Sequence, residues 1–278
     1  MATTATMGTV DVDGIRVAYR ELGTGPAVLL LHGWPTSSQL WREVMVPVAR
    51  SNRAVAVDLP GFGASDKPLD RRYGFDLFER TIELLLAQLG IGRTAIAVHD
   101  LGGPVGVRWA IRNPQRVTRL ALLNTLLYPE FSEALLEFVK VLSDRATRGS
   151  LTSPEGLESV MRLGLADQSH LTDELLEAVR EPFRTEESRR ALAHAGIQLE
   201  LEGFAEIGRR LHELRVPVRI VYGARDQLLP DVAETMARAE RDLPQAVTTV
   251  LPDCGHFLQL EAPRQVGELL ARFFAEAD

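Results

Sequence analysis

The chain has 278 residues, 45% of them hydrophobic and 25% charged, and a formal net charge of -7. That is enough material for one large α/β domain, or a domain with an insertion, and the acidic balance excludes a nucleic-acid binder, which needs a basic face. The single cysteine, Cys254, excludes an internal disulfide and a cysteine-rich metal site.

The start, Met1 to Met7, has neither a basic region nor an apolar core. No signal peptide is therefore expected. No apolar run reaches the roughly 18 residues of a membrane span, so the expectation is a soluble, cytoplasmic chain. Residues 10–13 and 15–20 alternate around Asp13-Gly14, a hairpin signal. Residues 27–31 form a continuous apolar run, as a central parallel strand requires. It ends in His32-Gly33-Trp34-Pro35, and a helix through Leu40, Trp41, Val44, Met45 and Val48 follows. Another strand at 54–57 closes in Asp58 to Asp66. Helical periodicity runs from Phe75 to Leu89, with Gly90 where a C-cap belongs.

A strand at 94–98 leads into His99-Asp100-Leu101-Gly102-Gly103-Pro104, which opens a helix to about Ile111. So sharp a strand-to-helix turn lifts one side chain to the top of a sheet, the geometry of a nucleophile elbow. The residue raised here is Asp100. The same residue also fits a plain helix cap, the usual role of an acid in such a loop. After a strand at 117–123 the β-α rhythm stops. Residues 125–214 read as helices, with stretches at 130–144, 154–163, 173–179, 186–195 and 202–211. The rhythm resumes with a strand at 218–223, a helix near 232–239, a strand at 247–251 and a helix at 262–274. This pattern predicts a mostly parallel sheet flanked by helices, with a core of 1–124 and 215–278 and a helical cap of 125–214. Asp226 and His256 each follow one of the late strands. The order Asp100, Asp226, His256 is the nucleophile–acid–histidine order of the α/β-hydrolase fold.

On these residues the chain resembles an α/β-hydrolase over essentially its whole length, in the branch with an aspartate nucleophile. His32-Gly33-Trp34-Pro35 is similar to that branch's oxyanion loop. Residues 35–42 and 256–259 resemble haloalkane dehalogenases, and residues 58–68 resemble dehalogenases and epoxide hydrolases alike. The resemblance implies Asp100 as nucleophile, His256 as general base and Asp226 as its partner, with the backbone amides of Trp34 and Leu101 as oxyanion donors. It also implies an elbow-supporting role for His99. The reaction needs water and no metal or organic cofactor. Partners reduce to a small-molecule substrate, with the chain a monomer or homodimer.

The two families differ in how the leaving group is handled, and this chain departs from both. Dehalogenases place a Trp after the nucleophile as one halide donor and an Asn in the oxyanion loop or a Trp in the cap as a second; here the residue after Asp100 is Leu101, and the tryptophans, Trp34, Trp41 and Trp109, all lie outside the cap. Epoxide hydrolases protonate the ring oxygen with a cap tyrosine pair; here the cap has only Tyr128. Tyr128 and the Trp34 indole are the candidate leaving-group contacts, with His170, His194 and His212 as other cap acids. Epoxide opening is placed slightly ahead, because it requires one unusual acid where dehalogenation requires two replacement donors. Haloalkane hydrolysis is the runner-up, and a non-catalytic sensor is the alternative from another class.

Overall fold

The structure is a computed structural model that describes residues 4–276. The first three and last two residues, which belong to the expected leader-free start and core boundaries, lie outside the described residues. The elements are β1 (Thr6–Val12), β2 (Ile15–Leu22), β3 (Ala27–Leu31), α1 (Arg42–Val48), β4 (Arg53–Val57), α2 (Phe75–Gln88), β5 (Thr94–Asp100), α3 (Gly102–Arg112) and β6 (Val117–Thr125). The insertion holds α4 (Glu133–Ser143), α5 (Arg148–Leu151), α6 (Pro154–Leu163), α7 (Asp173–Arg180), α8 (Glu186–Ile197) and α9 (Leu201–Arg210). The chain closes with β7 (Val218–Gly223), α10 (Val232–Asp242), β8 (Ala246–Leu251), α11 (Leu258–Glu261) and α12 (Pro263–Ala275).

All eight strands form one sheet in the order β1-β2-β4-β3-β5-β6-β7-β8. β1 and β2 form the expected hairpin, with Val12 opposite Ile15 across the Asp13-Gly14 turn. β2 pairs antiparallel with β4, and every pair from there to β8 is parallel. The continuous apolar runs of β3 and β5 are buried on both faces, the environment that such runs require. The parallel strands deliver the loops after β3, β5, β6, β7 and β8 to one edge, where open α/β sheets bind ligands.

Residues between β6 and β7 form helices and short 3-10 turns and no strand among the described residues, as the sequence pattern predicts. The one-turn helices α5 and α11 were not legible, because a single turn carries too few residues to show a period. This helical block is fastened by ion pairs to α3, which is itself tied to α2. Arg108 reaches Glu79 (2.6 Å) and Glu206 (2.9 Å), and Arg112 reaches Glu206 (2.7 Å). Phe204 of α9 also packs edge-on against Phe75 at 5.6 Å. The chain has no helix, among the described residues, long and apolar enough to cross a membrane.

Arg112 and Arg108 hold the Glu206 carboxyl at about 2, against an ordinary 4.5. A depressed acid contributes stability that is full above its unfolded value and lost as pH falls through its folded value. Glu206→Gln is expected to destabilise the protein by about 1–2 kcal/mol near neutrality, the scale of hydrogen bonds to a charged group, because Arg108 and Arg112 keep Glu79 as a partner. The difference from wild type should shrink as pH falls from 4.5 towards 2. Urea unfolding across that range checks both statements.

Candidate active site

Asp100 ends β5 with φ of 50°, in the left-handed region. A non-glycine residue is held there only when its surroundings over-determine it, and such positions gather at active sites. The surroundings here are tight. A Cβ on Gly33 would overlap the Asp100 side chain, and one on Gly103 would overlap Thr125 Oγ1. The Thr125 hydroxyl in turn donates to the Asp100 carbonyl at 2.7 Å. Gly103 is thus demanded by close approach to β6, and Gly102 by close approach to the Leu31 and His32 carbonyls at the end of β3. The helix-cap reading of Asp100 does not apply, because α3 has no side-chain cap.

The carboxylate is asymmetric. Oδ1 accepts from the Trp34 backbone N–H at 2.7 Å, and the Leu101 backbone N–H also bonds to the carboxylate. Oδ2 faces His256 Nε2 at 3.7 Å, beyond hydrogen-bond distance. His256 Nδ1 lies 2.8 Å from Asp226 Oδ2. Asp226 Oδ1 accepts from the backbone N–H groups of Leu228 (2.9 Å) and Leu229 (2.8 Å). All the expected residues of the triad and oxyanion pair are therefore brought together at the sheet edge.

Burial pushes the Asp100 carboxyl up, against the pull of His256 and the two backbone donors. Burial also works against charge on Asp226, yet His256 and the surrounding donors hold it below the usual carboxylate range. Burial opposes protonation of His256, but Asp226 and then Asp100 raise the imidazole above its ordinary 6.5. His99 Nε2 lies 3.0 Å from the His256 carbonyl oxygen, and the two rings are 4.6 Å apart. Burial and the neighbouring His256 hold His99 well below its ordinary value. A neutral His99 donating to that carbonyl braces the loop that carries His256.

Two supports were not singled out from the sequence. Asn124, with φ of 29°, donates to Asp226 Oδ2 at 2.7 Å and accepts from the Gly223 N–H at 2.9 Å. The Glu261 carboxylate accepts from Gly255 N–H (2.6 Å) and Asp167 N–H (2.9 Å), while His256 N–H donates to the Gly164 carbonyl at 2.7 Å. The helical block therefore helps to hold the His256 loop. A polar residue at the end of an apolar strand was the available signal for Asn124; nothing local marks Glu261.

Above the carboxylate lies a cavity of about 360 Å³. Leu126, Leu135, Phe138, Val160 and Leu229 give it an apolar wall, with Trp34, Leu101, Asp100 and His256 at its floor and Glu137 and Gln227 also on its lining. Phe138 meets Trp34 edge-on at 4.8 Å. Tyr128 requires a correction. Its hydroxyl donates to Asp242 at 2.7 Å, Arg238 stacks on its ring at 3.7 Å, and it does not line the cavity. A tyrosine at the start of the block finds its polar partner on α10, away from the carboxylate. His170, His194 and His212 do not line the cavity either. The Trp34 indole does reach its wall, but its N–H donates to the Leu192 carbonyl at 3.1 Å.

Residues 26–263 match the family described as alpha/beta hydrolase fold. The chain is 28% identical to 2-hydroxymuconate semialdehyde hydrolase of Pseudomonas sp. (strain CF600), covering 95% of this chain and 92% of that one. It is also 28% identical to haloalkane dehalogenase 2 of Mycobacterium bovis, over 93% and 91% of the two chains. The solved structure of haloalkane dehalogenase DbeA from Bradyrhizobium elkani superimposes with a TM-score of 0.87 at 26% identity, covering 98% of each chain.

Asn124→Ala is expected to cost about 2–4 kcal/mol, because it leaves a buried carboxylate and a buried N–H each short of a partner and puts alanine at a positive φ. Urea unfolding of the variant measures it, and a loss under 0.5 kcal/mol, the scale of an ordinary surface change, would refute the bracing role.

Proposed function

The chain belongs to the α/β-hydrolase family, and within it we propose a cofactor-free hydrolase that acts through an alkyl ester on Asp100 and cleaves carbon–halogen bonds of small apolar haloalkanes. The observation that carries this reading is the Asp100 carboxylate at a cavity floor, with Oδ1 on the Trp34 backbone N–H and Oδ2 facing His256 Nε2 at 3.7 Å.

In the first step an Asp100 oxygen attacks an sp³ carbon, and the carbon–halogen electron pair leaves with the halide. A water then attacks the ester carbonyl carbon while His256 Nε2 takes its proton. The oxyanion that forms is met by the Trp34 and Leu101 N–H groups. Collapse breaks the acyl C–O bond, and the alcohol leaves with the proton from His256. Asp226 holds the imidazole tautomer and stabilises its charged form. In this reading the helical block is a cap that closes the cavity over the substrate.

Halide is preferred to epoxide as the target, reversing the order expected from the sequence. An opening epoxide makes an alkoxide, which needs an acid; among the described residues, the cavity wall carries no tyrosine and no histidine besides His256, and its one carboxyl besides Asp100, Glu137, is ion-paired with Lys140 at 3.0 Å. A halide leaves as a stable anion. Leu101 and the engaged Trp34 indole give it little help, and Gln227 is the one carboxamide on the wall. Iodide and bromide should therefore leave much faster than chloride. An acyl substrate, as the muconate-type relative's name suggests for that protein, fits poorly, since attack by Asp100 would give an anhydride.

His256→Gln should stall at the ester. After exposure to mixed bromoalkanes, iodoalkanes and epoxides, its intact mass should rise by a haloalkane minus HX. A rise by a whole epoxide would reverse the leaving-group assignment, and no adduct on a folded variant would favour the sensor alternative. In wild type the base must be neutral, so turnover should fall on acidification with an apparent pKa above 6.5. Asp226→Asn should move that limb downwards and slow turnover by about 10⁴, as in comparable triads; a pH–rate profile of both proteins decides.

A further inference from the structure

A separate cavity, of about 620 Å³, lies within the helical block. Arg145 and Arg148, in and just before α5, border it together with Glu186, Arg189, Arg190 and His194 of α8. It shares no lining residue with the cavity over Asp100. We propose that this cavity is a second binding site, for a small soluble anion that carries a phosphoryl group.

The placement of arginine points to this cavity. Residues 125–214 contain nine arginines. Five of them meet a carboxylate: Arg162 and Arg180 on Glu158, Arg184 on Glu177, Arg209 on Glu202, and Arg210 on Glu206 and Glu213. The other four all line this cavity, and none of them forms an ion pair among the described residues. Glu186 is the one acid on the lining, so four guanidinium groups face one carboxylate, an excess of three positive charges. Asp144 and Glu187, next to Arg145 and Glu186 in the chain, do not line it, and Asp144 Oδ1 accepts from the Ala146 N–H at 2.8 Å. Cations gathered in this way repel one another, and an anion that bridges them relieves the repulsion.

The arrangement favours a phosphoryl group over a carboxylate. A carboxylate has two oxygens in one plane, which a single guanidinium fork can fill. A phosphoryl group has three acceptor oxygens spread in different directions, so it serves arginines from separate elements at once. Here they come from the turn before α5, from α5 and from α8. Arg189 Nη1 donates to the Phe183 and Arg184 carbonyls at 3.4 and 3.2 Å, which fixes the side chain and leaves its charge and other N–H groups for a ligand. Burial, then Arg148 and Arg190, hold the His194 imidazole below its ordinary 6.5, so it offers a neutral N–H and no further cation. The lining carries no large apolar side chain, which suits a water-soluble phosphate and not a lipid chain.

The test is calorimetric titration, at fixed ionic strength, with inorganic phosphate, pyrophosphate and glycerol 1-phosphate, and with succinate as a carboxylate of comparable charge. The proteins are wild type, the double variant Arg148→Gln/Arg190→Gln, Arg145→Gln and Arg209→Gln. Arg145→Gln, at an exposed position, serves should the double change impair folding. Arg209→Gln removes the same charge from the helical block outside the cavity. At least one phosphoryl probe is expected to bind wild type saturably and about tenfold more tightly than succinate; the tightest of the three identifies the source of the group. That binding should weaken about tenfold in the double variant, severalfold in Arg145→Gln and less than twofold in Arg209→Gln. No saturable binding of any phosphoryl probe, succinate binding as tightly, or an equal loss in Arg209→Gln and the cavity variants would overturn the proposal. None of these readouts uses hydrolysis, so the result stands apart from the assignment of the substrate.

Discussion

The site depends on the backbone of a single residue. Asp100 occupies a left-handed conformation that costs a side chain of its kind on the order of 1–3 kcal/mol. The fold supplies this by crowding. Gly33 lies under the carboxylate, Gly103 lies against Thr125, and the Thr125 hydroxyl ties down the Asp100 carbonyl. The β5–β6 register shifts between His99 and Asp100, where the strand gives way to the turn. With the backbone fixed, the side chain stands over the loop after β3, and the Trp34 N–H meets Oδ1. A relaxed turn would lower local strain and lose that contact.

The same crowding sets the charges. Two carboxylates and an imidazole are packed at the sheet edge, with His256 1% exposed. Asp226 is kept ionised by a ring of donors: His256, Asn124 and two backbone N–H groups. Asp100 has fewer donors, and burial pushes its carboxyl up. The two acids therefore have divided roles: Asp226 is a settled anion that holds His256, and Asp100 is an undersolvated one. His99, kept neutral behind His256, adds a hydrogen bond without adding a positive charge that would oppose protonation of His256.

Most of the fold was readable because its elements carry strong local signals. The apolar runs of β3 and β5, the Asp13-Gly14 hairpin and the period of α2 depend on neighbours in the chain. The elbow was readable for the same reason, since its glycines sit beside Asp100. Side chains whose roles depend on distant partners were not. Tyr128 carried the right chemistry for a pocket acid, but Asp242 and Arg238, over a hundred residues away, claim its hydroxyl and ring. Asn124 becomes meaningful only when β6, β7 and the His256 loop converge. The Trp34 backbone N–H was expected from the resemblance and does meet Asp100 Oδ1, whereas its indole, a candidate leaving-group contact, is claimed by the Leu192 carbonyl, 158 residues away.

In the proposed reaction, the apolar cavity connects Asp100, as nucleophile, to its choice of leaving group. An undersolvated carboxylate is a stronger nucleophile, because less hydration must be shed before attack. In displacement, its charge spreads over the incoming oxygen, the carbon and the departing atom. A wall of leucine, valine and phenylalanine suits a charge that is spreading and suits poorly one that gathers on a small, basic alkoxide oxygen. The replacement of a donor by Leu101 therefore has two consequences. In that reaction it withdraws help from the departing group, and it adds apolar surface to the floor around Asp100. Reactivity lost at the leaving atom is partly recovered at the attacking one, provided the leaving atom is large and polarisable.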